Sequence, residues 1–272
     1  MNKMNASLRL GLSSSSVTVV HTSGWMRPHM TIFADEPMDA SSPFEMLASL
    51  DRALTVSDCR RLPISVVLAD QWARLFMVTP PTNATRLGDC KAVAARRFQL
   101  LYGDDAAQWL IDGDWSAEKP FLACAIPRSL HAVLQKICNK HRLTLVRIAP
   151  QFIFGWNKWR RPLEGAWFGT LHGNAMTLGA ISRGRLVAIR RLILTTAQRK
   201  DPYPVVAQIK REALRLALPQ PTAIQVCGAL PQEWRDMRYD GASFIPVDPV
   251  ICDRSTIRQS LAADLACTGV AI

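Results

Sequence analysis

The stretch Leu10-Gly-Leu-Ser-Ser-Ser-Ser-Val-Thr-Val-Val20 decides how this chain reads. Leu8, Leu10 and Leu12 precede the serine run at every second position, and Val17, Val19 and Val20 follow it, as in two strands of a half-buried sheet joined by a tight turn. Thr31-Ile32-Phe33 supplies a third strand, so the chain opens as a three-stranded antiparallel unit. The spacing of Phe44, Leu47, Leu50 and Leu54 then predicts a helix, capped by Ser41 or Ser42 with Glu45 in its first turn.

Further along, the apolar runs 64–69 and 73–78 flank Asp70-Gln-Trp72 and read as a hairpin that Pro80-Pro81 ends. A helix over 87–101, a strand over 121–126, a helix opened by Pro127-Arg-Ser129 and a strand over 143–148 follow. The segment 157–164, NKWRRPLE, is polar and carries a proline, and beyond it the strand pattern restarts at 166–171, 175–178 and 186–194. His172-Gly-Asn174 and Ser182-Arg-Gly184 form the turns, and a helix over 205–218 leads to a strand over 223–227. Strand, strand, strand, helix, strand therefore occurs twice, without a residue-level repeat.

Composition narrows the class. With 272 residues, 49% hydrophobic and 20% charged, the chain has the material for a sizeable core. Its longest strongly apolar stretch, 143–156, is interrupted by Arg147, Pro150 and Gln151 and is shorter than the roughly 20 residues a bilayer span requires. The N-terminus lacks the pattern of a secretory signal, so a cytoplasmic location is expected. The seven cysteines stand singly, without zinc-ligand spacing, and read as reduced thiols. The 33 Lys plus Arg against 22 Asp plus Glu give +11, which favours an acidic partner, a nucleic acid or an anionic membrane surface.

The duplicated order of elements resembles the plan of the actin/hexokinase superfamily. Residues 10–20 look like the first phosphate hairpin of the type IV pilus assembly protein PilM and of the cell-division protein FtsA, usually D-x-G-S-S-S-V-K-V-V. Residues 65–148 are similar to PilM and to the cytoplasmic domain of the type II secretion protein GspL. Ser182-Arg-Gly-Arg-Leu-Val-Ala-Ile-Arg190 resembles the second hairpin of these proteins. The resemblance implies an α/β, actin-like, two-lobed fold: a first lobe over 1–160 with an inserted α+β subdomain over about 62–142, a second lobe over 161–250, and a segment 251–272 packing back on the first lobe.

The chain departs from that pattern where nucleotide chemistry would sit. Gly11 stands where the loop aspartate belongs and Ser13 where its glycine belongs, leaving Ser14 and Ser15 in a turn that reads as solvated. In the second loop the match falls on Thr170-Leu-His172, with no carboxylate from 166 to 183, and the adenosine loop is reduced to Gly228. Mg²⁺ and phosphoryl transfer both depend on such carboxylates. The expectation is a vestigial site, no ATPase activity and no cofactor. No metal site is expected either.

Other chemistry lacks a motif. His21, His29, His131, His141 and His172 adjoin no nucleophile or carboxylate pattern, and Asp104-Asp105 and Asp112-x-Asp114 read as solvent-facing loops. Trp156, Trp159 and Trp167 interleave with Lys158, Arg160 and Arg161, a mixture that stacks bases in some proteins and forms a domain seam in others; the seam is preferred. Arg183, Arg185, Arg190, Arg191, Arg199 and Lys200 form a candidate basic docking face.

The resemblance implies a scaffold for type IV pilus or type II-like secretion assembly, peripheral at the inner membrane. Its partner would be the cytoplasmic tail of a single-pass PilN-like protein, with an assembly ATPase as a further partner. Trp72, Arg74 and Phe76, on alternating positions of one strand, are the expected tail-binding residues. An actin-like ATPase with unusual phosphate loops and a basic nucleic-acid-binding protein are the alternatives.

Overall fold

The structure, a computed structural model, describes residues 6–24, 29–39, 42–55, 61–82, 84, 86–161, 163, 166–235, 238–247 and 261–268. Its first lobe is built on a five-stranded sheet of order β3-β2-β1-β4-β8. β1 (Ser7–Leu12), β2 (Ser16–Ser23) and β3 (His29–Pro37) are antiparallel, and β4 (Pro63–Leu68) and β8 (Thr144–Pro150) continue the sheet in parallel. Leu8, Leu10 and Leu12 alternate into a core beneath α1 (Pro43–Thr55) and α3 (Arg128–Lys140), where Leu50, Ile64 and Leu134 are also fully buried. Ser42 accepts from the Phe44 amide at the start of α1; the alternative cap, Ser41, lies outside the described residues.

The second lobe repeats the plan. β9 (Trp167–His172), β10 (Ala175–Ser182) and β11 (Arg185–Ile193) are antiparallel, β12 (Ala223–Gly228) runs parallel to β9, and the small hairpin β13 (Arg238–Tyr239) and β14 (Ala242–Pro246) extends the sheet to the order β11-β10-β9-β12-β14-β13. α5 (Thr196–Lys200) is a short turn of helix, and α6 (Tyr203–Arg215) buries Val205, Val206, Ile209 and Ala213, the 3.6-residue stripe of an amphipathic helix, against Met176, Leu178 and Ile224.

Between β4 and α3 an inserted unit forms its own antiparallel sheet, β5 (Arg74–Val78), β7 (Phe121–Pro127) and β6 (Trp109–Gly113) in that order, covered by α2 (Leu87–Tyr102). Phe76, Phe98, Tyr102 and Trp109 stack in tilted and edge-on pairs inside it, their ring centres 5.2 to 6.1 Å apart. α4 (Gln151–Trp159) connects the lobes. Its Phe152 and Trp156 pack on Phe168 of β9, and Leu122 of the insert and Ile189 of β11 join the same cluster, so three bodies share one apolar centre.

Three expectations are corrected by this architecture. Runs 64–69 and 73–78 are not a hairpin: β4 pairs with β1 and β8, while β5 pairs with β7 in another sheet. A 3-10 turn, Asp70–Trp72, redirects the chain between them. The insertion expected over 62–142 is accordingly narrower, from Arg74 to Pro127, because β4 and α3 belong to the first lobe's own sheet and core. The polar stretch around Asp112 contains β6 rather than only loop. The preferred seam reading holds for Trp156, which is 5% exposed in the shared apolar centre, whereas Trp167, 2% exposed, belongs to the second lobe's own core; neither offers a surface for base stacking.

The last described segment, α7 (Leu261–Cys267), lies on the opposite face of the first sheet from α1, against β1 and β2. Arg9, pointing away from the leucine side of β1, fastens it by donating from Nε to Ala266 O (2.6 Å) and from Nη2 to Thr268 O. Residues 251–260 and 269–272 of the expected packing segment lie outside the described residues. No described helix is long and apolar enough to cross a membrane.

Candidate functional site

The residues matched to the phosphate and adenosine loops surround the seam between the lobes. Gly11 is buried under α7: a Cβ placed on it would lie 2.0 Å from Ala262 O and 2.8 Å from Ala266 N. An alanine is already too large there, and an aspartate far more so. The serine hairpin is closed on itself. Ser13 is fully buried, its Oγ accepting from the amides of Ser15 (3.2 Å) and Ser16 (2.9 Å) and donating to Ser16 O (3.1 Å), while Ser14 and Ser15 are exposed. Backbone donors of the kind that would cradle a phosphate are thus turned onto a serine of the same loop. Trp72 closes over this hairpin, donating from Nε1 to Ser13 O at 3.1 Å.

Across the seam Thr170 is buried, and its hydroxyl donates to Asp70 Oδ2 at 2.7 Å. The other carboxylate oxygen accepts from the Phe152 amide at 2.9 Å, at the N-terminus of α4. Asp70 was not among the candidate residues read from sequence. It is buried, and that burial raises its pKa above the usual carboxylate value, against the lowering effect of the Phe152 and Thr170 hydrogen bonds. One carboxylate from the first lobe therefore holds both the connecting helix and the second lobe's β9. The signal available in the sequence was an acid directly at the carboxyl end of a parallel strand, read there as part of a turn.

His172 ends β9 and is buried, which pushes its pKa down to about 4; neither ring nitrogen has a hydrogen-bond partner among the described residues. Gly228 has φ +113° and a Cβ there would fall 2.2 Å from Leu171 O, so the glycine serves the close approach of β12 to β9. Gln151 is fully buried beside it, its Nε2 donating to Thr268 Oγ1 at 3.4 Å. What these positions form together is a packed joint.

The expected tail-binding residues are also mostly structural. Trp72 is in the 3-10 turn and not on β5, and packs against the first lobe's core. Phe76 is 2% exposed inside the insert. Arg74 shares the face of Phe76 and stacks over the rings of Tyr102 and Trp109 at 5.5 and 5.4 Å. The basic cluster is dispersed as well. Arg199 donates to Gly173 O at one end of β10, Arg183 and Arg185 lie exposed at its other end, and the eight-residue strand between them spans about 26 Å. Arg190 pairs with Glu212 at 2.6 Å, and Arg191 and Lys200 are exposed.

Beside the insert, however, the structure opens a groove of about 780 Å³ between two sheet edges. One wall is β8, the outermost strand of the first sheet; the other is β6, the outermost strand of the insert; α3 contributes His131, Gln135 and Asn139. Leu110, Leu122, Ile148 and Ile153 give it an apolar base, Asp112 and Asp114 line one side, Arg147 the other, and Val146 stands 63% exposed on β8. Two unpaired strand edges with apolar and charged side chains along them are the requirements for adding an extended peptide by backbone pairing.

Both halves carry an antiparallel three-stranded unit and a parallel return through a helix, which is the plan of the actin-like fold. No family model and no curated protein matches the sequence. Solved structures match its fold. The cytoplasmic domain of EpsL, an inner membrane component of the Vibrio cholerae type II secretion system, superposes with a TM-score of 0.61 at 10% identity, over 96% of this chain and 93% of that one. A PilM–PilN type IV pilus biogenesis complex gives 0.63 at 12% identity, over 90% and 88%. A Bacteroides thetaiotaomicron protein with an actin-like ATPase fold gives 0.57 at 11%, over 86% and 87%. The chain thus has the actin-like fold seen in PilM and in the GspL-type cytoplasmic domain.

Proposed function

We propose that this protein is a non-catalytic, actin-like scaffold of a type IV pilus or type II-like secretion machine, held at the cytoplasmic side of the inner membrane by the tail of a single-pass, PilN-like partner. The observation that carries the proposal is the groove between β8 and β6. In it an extended tail pairs its backbone with the free edge of β8 and presents side chains to Val146, Ile148 and the Asp112–Asp114 side. The site is therefore on the β6 side of the insert and not at Trp72, Arg74 and Phe76. A solved complex of the same fold pairs PilM with PilN, which supports this class of partner. The packed joint at Gly11, Ser13, Asp70 and Thr170 supports a scaffold that works without nucleotide.

The test is fluorescence anisotropy with a labelled peptide of the PilN-like partner's cytoplasmic tail. Val146→Arg replaces an exposed side chain on the groove wall and should weaken capture about tenfold or more while leaving the melting temperature unchanged. Mg-ATP should leave that temperature unchanged too, since a ligand bound only by the folded state raises it by mass action. Unaltered capture by the variant would remove the groove from the reading, and saturable ATP binding would replace the scaffold with an actin-like ATPase.

A further inference from the structure

The other edge of the insert faces a second cleft. β5 is the outer strand of the insert's sheet on that side, and β11 is the outer strand of the second lobe's sheet. Between them, with α2 above and Leu216 at the end of α6 below, lies a space of about 530 Å³, within the roughly 300–1,000 Å³ typical of sites that bury most of a ligand. Its floor is apolar, with Leu75 and Met77 from β5, Val93 and Leu101 from α2, and Val187 and Ile189 from β11. Leu101 and Val187 remain 44% and 40% exposed on facing walls.

The charge around this floor is predominantly basic, with Glu212 paired behind Arg190. Arg97 on α2 and Arg190 on β11 line the cleft, and no carboxylate does. Arg97 is exposed and has no ion-pair partner among the described residues. Arg190 is held in place by Glu212 at 2.6 Å and by its own donation to Ile189 O at 2.9 Å, yet its side chain is still 53% exposed. Arg74 and Arg191 add to the same field, since with Arg97 they lower the pKa of Tyr102 against its burial. The groove on the β6 side is mixed in charge, with Asp112 and Asp114 on one wall and Arg147 on the other.

We infer that the cleft between β5 and β11 is a docking site for an acidic, amphipathic peptide segment of a second protein, separate from the groove that takes the tail. Leucine-type side chains fill the floor between Leu101 and Val187. A carboxylate pairs with Arg97 at the rim, where a guanidinium prefers paired hydrogen bonds to a carboxylate, and the field of Arg190 and Arg191 adds to its attraction. The exposed Leu101 and Val187 favour a peptide with leucine-type side chains over a nucleic acid, because of the two aromatic rings in the lining Phe76 is buried and Tyr102 is already engaged by Phe98 and by the Arg74 guanidinium.

The probe is a labelled peptide of about ten alternating leucines and glutamates, followed by anisotropy at low salt, about 50 mM. Arg97→Glu and, separately, Val187→Ser should each weaken binding about tenfold or more with unchanged melting temperatures, and a serine–glutamate peptide should bind more weakly than the leucine one. Val146→Arg, in the other groove, should have no effect, which keeps this inference independent of the tail site. Binding that survives both cleft variants, or that Val146→Arg removes, overturns it. So does oligothymidylate competing equally well with the peptide, because the cleft would then be an unselective anionic surface.

Discussion

Replacing His172 by leucine should flatten the acid sensitivity of this protein. In the folded chain the imidazole sits buried at the end of β9 and its pKa is pushed from 6.5 down to about 4. Between those two values the unfolded chain binds a proton that the folded chain refuses, so stability is intact above pH 6.5 and is lost as the pH falls toward 4. A descent of that size, at about 1.4 kcal/mol per pH unit, comes to about 3 kcal/mol in full and to about 2 kcal/mol at pH 4.8. With a denaturant slope of about 3 kcal/mol/M, the urea midpoint of the parent should drop by about 0.7 M between pH 7.5 and 4.8 through this residue alone. Asp70, whose pKa is raised, works with the opposite sign, and Asp51, whose pKa is lowered by Lys140 and His141, loses stability only below its own unfolded value of 3.8. Both act equally in parent and variant and cancel in the difference. Parallel pH profiles for parent and His172→Leu would refute the argument and show that the ring is hydrated in solution.

Gly11→Asp, which restores the loop carboxylate, should not create nucleotide binding; its side chain meets the backbone of α7, and the resulting overpacking and buried charge should cost about 3 kcal/mol or more in urea unfolding. Unchanged stability together with unchanged hydrogen exchange of α7 would contradict this. Asp70→Ala leaves the Phe152 amide and the Thr170 hydroxyl without their acceptor and should lose about 2–5 kcal/mol, whereas Asp70→Asn, which keeps an acceptor oxygen, should lose much less; equal losses would speak against the hydrogen bonds as the cause. Phe76→Ala should lower stability by about 3–5 kcal/mol and leave tail capture intact, since the ring belongs to the insert's core; lost capture at unchanged stability would return it to the binding site.

The parts of the fold that were legible are those in which a two-residue or 3.6-residue period runs without interruption. Leu8, Leu10 and Leu12, and the helix stripe Val205, Val206, Ile209 and Ala213, report their burial directly. The hairpin error at Asp70 has a physical source. Two short apolar runs separated by three residues satisfy a hairpin's pattern, and only the long-range pairing of β4 with β1 distinguishes a strand that leaves its sheet. β6 was missed because Trp109, Leu110 and Ile111 are only half-buried at an edge, which also makes that strand a groove wall. The groove itself could not be read locally, since β6 and β8 are separated by about thirty residues and meet only through the placement of α3. The missing carboxylates at Gly11 and Thr170 were plain in the sequence, but what replaced them was not.

That replacement is a physical argument for a fixed joint. In an actin-like plan the seam between lobes is where a ligand's charge would be met by loop carboxylates and open backbone donors. Here the first such position is occupied by the approach of α7 to Gly11, which Arg9 fastens through two carbonyls of the α7 segment. At the second, Thr170 is turned onto Asp70, and the same carboxylate caps α4, the element that joins the lobes. Each contact substitutes an intramolecular partner for a ligand. On the proposed reading a joint satisfied in this way needs no phosphate, because Ser13, Thr170 and the space at Gly11 are already engaged. The open space lies instead beside the insert, in a groove lined by Asp112, Asp114 and Arg147 and in a cleft lined by Arg97 and Arg190. On the proposed reading these two spaces serve two partners, the more basic cleft selecting the acidic one.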